Sequence, residues 1–263
     1  MTTPCAIVTG AGRGIGAAVA ARLRADGRAV TGLDRSSIPS DAHGAPTGSG
    51  GRASAGGADV DLVADISDVD AVARAVLARP DVSALVCVAG VWHHGSILDL
   101  PLDDLRRIVE VNLLGTLNCV RAWAPSLRRH RGSVVLVSSV TARVPTPGAG
   151  IYPATKAALE AITRQLALEL GPDGVRVNAV APGLIHTEGT DAQYGPGGTR
   201  EAMGRHVPLR HIGTPEEIAD VVSFLMSDSA RYVTGTVIDV DGGFTAAATS
   251  WLGSAAARTK EPS

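Results

Sequence analysis

The sequence predicts an α/β fold, a Rossmann-type doubly wound parallel sheet of about seven strands with helices on both faces. Three observations lead there. Short β-branched runs alternate with longer helical patterns from the start of the chain to about residue 241. Most of the strand candidates are near-continuous apolar runs, as in parallel strands covered on both faces. The first strand also runs straight into a glycine-rich turn that opens a helix. Such alternation builds right-handed βαβ units in one open sheet, which binds ligands at the carboxyl ends of its strands.

In chain order, strands are predicted at Ala6–Thr9, Ala29–Leu33, Leu62–Asp65, Ala84–Ala89, Ser133–Ser139, Arg176–Ala181 and Thr236–Val240. Helical patterns fall at 14–26, 68–79, 102–130, 152–170 and 215–228. One interval breaks the rhythm. Residues 35–58 are rich in Gly, Ser, Pro and Ala without helical periodicity, so an irregular loop replaces the crossover helix expected there. A second Gly-rich stretch follows the sixth strand and suits a lid over residues 188–206. The organisation read from this is a single catalytic domain over 1–243 and a C-terminal tail over 244–263.

Hydrophobic residues make up 45% of the 263 and charged residues 19%, enough for a sizeable core. The formal net charge of -2 gives no electrostatic case for nucleic acid or an anionic membrane as partner. No apolar run approaches the ~20 residues that span a bilayer, and MTTPCAIVTG does not read as a secretory signal. Cys5, Cys87 and Cys119 lack metal-ligand spacing and read as small buried hydrophobes in a reducing cytoplasm. No metal site is expected, since the adjacent His93 and His94 have no third ligand at suitable spacing.

The turn after the first strand is Thr9-Gly10-Ala11-Gly12-Arg13-Gly14-Ile15-Gly16. Glycines let the backbone approach a pyrophosphate, and the helix N-terminus offers free N–H groups and partial positive charge. Asp34 ends the second strand, where a carboxylate can accept from ribose hydroxyls and repel a 2′-phosphate. That favours NAD over NADP. Arg13 and Arg35 pull the other way, because either could neutralise such a phosphate.

Tyr152 and Lys156, in YPATK, stand four apart on one helix face, and Pro153 suits that helix's first turn. A phenol titrates near ~10, so proton transfer near neutrality needs a nearby cation. Ser139, at the end of the fifth strand, can hydrogen-bond and orient a substrate oxygen.

With these residues in view, the chain resembles the short-chain dehydrogenase/reductase family over about residues 4–243. The matching motifs are TGAGRGIG (9–16), Asp65 in ADIS, Ala89-Gly90, Asn112 in VNLLG, Ser139, YPATK (152–156), APGLIHT (181–187) and VDGG (240–243). The resemblance implies a catalytic tetrad of Asn112, Ser139, Tyr152 and Lys156, with a water at a helix kink beside Asn112 linking Lys156 to solvent. It implies a cofactor site of Gly10, Gly12, Arg13, Gly14, Ile15, Asp34, Asp65, Ile66, Ala89, Gly90, Tyr152, Lys156, Pro182, Gly183, Ile185 and Thr187. Asp65 and Ile66 would flank the adenine. Trp92, His93, Val144, Tyr194 and Met203 are candidate walls for a substrate. The expected activity is hydride transfer between NAD(H) and a secondary alcohol or ketone, in a homotetramer or homodimer. The alternatives are an NADP(H)-dependent 3-oxoacyl-type carbonyl reductase and a non-catalytic nucleotide sensor. Two departures stand out. Cys87-Val88 replaces the usual Asn-Asn before Ala89-Gly90. The irregular 35–58 interval and the strand AVTGLD resemble 2,3-dihydro-2,3-dihydroxybenzoate dehydrogenases, while the C-terminal half resembles β-ketoacyl carrier-protein reductases.

Overall fold

A computed structural model describes residues 5–37, 60–190 and 199–247. Most of the 35–58 loop, Tyr194 with the middle of the 188–206 lid, and the tail beyond residue 247 lie outside the described residues.

Seven strands form one parallel sheet: β1 (Cys5–Thr9), β2 (Val30–Asp34), β3 (Leu62–Val63), β4 (Val82–Cys87), β5 (Ser133–Val137), β6 (Arg176–Pro182) and β7 (Val237–Val240). Their order is β3-β2-β1-β4-β5-β6-β7. The chain therefore reverses its direction of travel across the sheet between β1 and β4, and the crevice at that reversal is where doubly wound folds bind ligands.

Side chains alternate between the two faces with a period of two, and each set has its own helices to pack against. Ile7, Leu85 and Leu136 belong to the core built with α2 (Val69–Ala78), α4 (Thr116–His130) and α5 (Tyr152–Leu170). Val8, Val86 and Val135 point to the opposite core, with α1 (Gly14–Ala25) and α7 (Pro215–Met226). The short helices α3 (Leu102–Val109) and α6 (Thr199–Gly204) complete the set. Asp68 caps α2 by accepting from the N–H groups of Asp70 and Ala71. Thr214 and Glu217 form a reciprocal capping box on α7.

Trp123 on α4 is fully buried, and its indole N–H donates to the Arg79 carbonyl at 3.0 Å. Trp123→Ala should lower the unfolding free energy by about 3–5 kcal/mol, through lost contact and the cavity left behind. Chemical denaturation measures this directly; a midpoint equal to wild type would show that the α4 face is not packed as described.

The sequence predicts a single helix over 102–130, and the structure corrects this. Between α3 and α4 the backbone takes a π-helical turn over Glu110–Gly115, with Asn112 inside it. Apolar periodicity cannot reveal one inserted residue in a continuous helix. The predicted strand Ser133–Ser139 also ends earlier, at Val137, because Ser139 has left the ladder to cap a single 3-10 turn, Val140–Ala142.

Candidate active site

A cleft of about 320 Å³ opens at the carboxyl edge of the sheet, over the reversal between β1 and β4. Its floor is the turn joining β1 to α1. Gly10 holds φ +68°, and a Cβ there would come within 2.8 Å of the Ala89 backbone. The Gly12 N–H donates to the Asp34 carboxylate at 2.9 Å, and a Cβ on Gly12 would sit 2.9 Å from that same oxygen. A side chain at either position would collide with the Ala89 backbone or with Asp34, so glycine lets the loop sit this close to both.

Asp34 stands at the end of β2 beside Arg35, whose N–H donates to its other oxygen at 2.7 Å; Arg13 lines the same cleft. Further along, Asp65 accepts from the N–H and hydroxyl of Ser67 and, at 2.6 Å, from Arg107. Burial opposes its ionisation, but the Ser67 and Arg107 hydrogen bonds outweigh it and hold the carboxyl below its usual range. Ile66, Ala89 and Gly90 also line this cleft.

Contiguous with it lies a smaller cavity of about 210 Å³. Ser139, Tyr152, Lys156, Pro182, Gly183, Ile185 and Thr187 line it, and Ile15, Gly90 and Trp92 belong to both spaces. Helix α5 starts at Tyr152, so its first turn presents the phenol, and the next turn brings Lys156 beneath it. The ammonium lies 5.4 Å from the ring centre and donates to the Val137 carbonyl at 2.8 Å. Burial pushes the Tyr152 phenol up to about 12, against a hydrogen bond from Ser139 that lowers it. Burial pulls the Lys156 ammonium down to about 8.

Asn112 is wholly buried and ties the π-helical turn to the loop after β4. Its side-chain oxygen accepts from the Val91 N–H at 2.8 Å, and its amide donates to the Val91 carbonyl at 2.9 Å. A Cβ on Gly90 would lie 3.3 Å from the Asn112 oxygen and 3.7 Å from the Lys156 nitrogen, so both groups converge over that glycine. The Thr9 hydroxyl accepts from the N–H groups of Val88 and Ala89, holding the loop where Cys87 replaces asparagine. Buried Cys87 has its thiol pushed well up by desolvation and stays inert there.

A family model described as enoyl-(acyl carrier protein) reductase matches residues 10–245. Human (3R)-3-hydroxyacyl-CoA dehydrogenase is 36% identical over 90% of this chain and 94% of its own. Meso-2,3-butanediol dehydrogenase of Serratia marcescens is 38% identical over 91% and 94%. The crystal structure of an oxidoreductase of the short-chain dehydrogenase/reductase family from Burkholderia thailandensis superposes with TM-score 0.84 at 31% identity, covering 98% of both chains. This chain belongs to the short-chain dehydrogenase/reductase family.

It is accordingly an oxidoreductase that moves hydride between a nicotinamide cofactor, NAD(P), and an alcohol or ketone. Of the described substrate-wall candidates in this short-chain dehydrogenase/reductase, Trp92 lines the Tyr152 cavity, with His94 edge-on to its ring. His93 pairs with Asp104 at 3.2 Å, Val144 closes the turn after Ser139, and Met203 lies on α6. Val88, Val91, Arg107 and Thr190 line the cleft without having been singled out in the sequence. Among the described residues no cluster of three metal-ligating side chains occurs, and no helix is long and apolar enough to cross a membrane.

Proposed function

We propose that the chain is an NAD(H)-dependent dehydrogenase of secondary alcohols in which Tyr152 is the general acid/base. The observation that carries this is the convergence of Ser139, Tyr152 and Lys156 on one cavity that opens into the glycine-floored cleft. The cleft fits a dinucleotide: glycines let the loop from β1 to α1 form its floor without side chains, and Asp34 stands at the ribose end. A bound nicotinamide supplies or accepts the hydride. In the reductive direction Tyr152 and Ser139 donate hydrogen bonds to the carbonyl oxygen, and Tyr152 gives up its proton as the alkoxide forms. Lys156 stabilises the phenolate left behind, and Asn112 orders the route by which Lys156 is resupplied with protons. Oxidation runs the same steps backwards.

Residues 1–243 act as one catalytic domain, with 188–206 as the lid over the substrate. The remaining cofactor contacts come from Gly10, Arg13, Gly14, Ile15, Asp65, Ile66, Ala89, Gly90, Pro182, Gly183, Ile185 and Thr187. An exposed apolar groove along Leu102, Leu105, Val109, Leu114 and Ile151 supports a homodimer or homotetramer. The three free, buried thiols fit a reducing cytoplasm.

The test is turnover of diacetyl, ethyl acetoacetate, acetoacetyl coenzyme A and cyclohexanone with NADH and with NADPH, followed by nicotinamide absorbance. No hydride transfer to any of the four would count against the reading. A second reading, an NADP(H)-dependent 3-oxoacyl-type reductase, draws support from Arg13 and Arg35 in the cleft and from the (3R)-3-hydroxyacyl-CoA dehydrogenase relative. The cofactor choice turns on Asp34. Removing a carboxylate that faces a phosphate relieves repulsion, so Asp34→Ala should shift the kcat/KM ratio towards NADP by about ten- to a hundred-fold, or about 1.4–2.7 kcal/mol. A ratio unchanged by the substitution would remove Asp34 from cofactor selection.

A further inference from the structure

Ser139 stands where β5 has ended and the 3-10 turn Val140–Ala142 begins. Its hydroxyl oxygen accepts from the Thr141 backbone N–H at 3.2 Å and from the Thr141 side-chain hydroxyl at 3.0 Å. A serine hydroxyl has one hydrogen to give and two lone pairs to fill. One residue therefore occupies both lone pairs, and the hydrogen is left for the cavity side, where Tyr152 lies. Ser139 also opposes the upward shift of the Tyr152 phenol, in keeping with the two hydroxyls facing one cavity. Thr141 does not line the cavity; it stands behind Ser139, partly buried.

The geometry points to Thr141 as a positioning residue, whose hydroxyl saturates the acceptor side of Ser139 so that Ser139 meets the reacting oxygen only as a hydrogen-bond donor. This rests on the reading that Ser139 binds that oxygen. A donor-only serine suits the chemistry. Both a polarised carbonyl and the alkoxide formed from it are acceptors, and the alkoxide gains more from a fixed donor than the ground state does. A serine free to rotate would spend part of its time presenting a lone pair to a lone pair.

Thr141→Val removes the hydroxyl, keeps the shape and leaves the backbone N–H in place, so the turn retains its cap. With the ketone of the four-member panel that wild type reduces fastest, kcat should fall about ten-fold, the value of one oriented hydrogen bond. The KM for the ketone, the NADH dissociation constant from fluorescence and the melting temperature should stay at wild-type values. Thr141→Ser restores the hydroxyl without the methyl and should recover kcat to within about two-fold. Wild-type kcat in Thr141→Val would overturn the proposal. So would an equal loss in Thr141→Ser, which would assign the effect to packing of the methyl group. Ser139→Ala, run in parallel, should lose about 10²- to 10³-fold. If Ser139→Ala instead kept full activity, the reading of Ser139 would be the part that failed, and the role of Thr141 would fall with it.

Discussion

Tyr152→Phe should lower kcat by about 10²- to 10⁴-fold, the range over which a positioned proton donor acts, while NADH still binds. The substitution deletes one oxygen from a partly buried ring whose first-turn position on α5 does not depend on it. Only the hydrogen bond with Ser139 and the proton itself are lost. The phenol, pushed up to about 12 by burial, is protonated at neutrality, as a donor to a carbonyl must be. In the oxidative direction a phenolate is needed, so wild-type kcat for alcohol oxidation should climb with pH, while ketone reduction should not require that rise. Stopped-flow measurement of hydride transfer, with NADH titrated separately by fluorescence, distinguishes lost chemistry from lost binding. Turnover at the wild-type rate in Tyr152→Phe would remove the tyrosine from the reaction.

Lys156→Met should abolish most turnover and yet melt higher than wild type at pH 7 without ligands. Lys156 is buried with its pKa brought from 10.5 to about 8 by desolvation. A lysine with a depressed folded pKa contributes its full stability only above the unfolded value of 10.5, and loses it as the pH falls through about 8. At pH 7 the burial of charge thus costs about 3 kcal/mol, offset by about 1 kcal/mol from the bond to Val137, and a methionine escapes the net penalty. The gain should be several degrees in melting temperature, shrinking as the pH rises from about 8 towards 10.5. Melting curves at neutral and alkaline pH test this; a variant that melts lower than wild type at pH 7 would show that the charge is not a burden to the fold.

Much of this site can be read from the sequence, because its parts are local. Gly10, Gly12 and Gly14 lie within five consecutive positions, and Tyr152 and Lys156 lie one helical turn apart, so chain geometry alone fixes their relation. The strands are legible for the same reason: Ile7, Leu85 and Leu136 alternate with neighbours that the opposite face also buries. Arg107 is different. Its bonds to Asp65 and Ser67 join α3 to the end of β3 across some forty residues, and no spacing in either segment announces them. Thr141 escaped for another reason: its part depends on how a hydroxyl two residues away is turned. The substrate walls are least legible, since His93 and Val144 sit on loops whose side-chain directions follow from tertiary contacts such as the His93–Asp104 pair.

The π-helical turn at Asn112 separates what the site needs from what the core needs. Its extra residue lets the asparagine side chain behave like a passing strand, trading both of its amide groups with Val91. Deleting one residue there would remove the bulge and restore a regular helix, with the helix beyond it keeping its face to the sheet. Cys119, Trp123 and Leu127 would stay in the core, while the loop bearing Gly90 would lose its anchor on Asn112. A change of length in this helix therefore costs the anchor of the site and leaves the packing of the core in place.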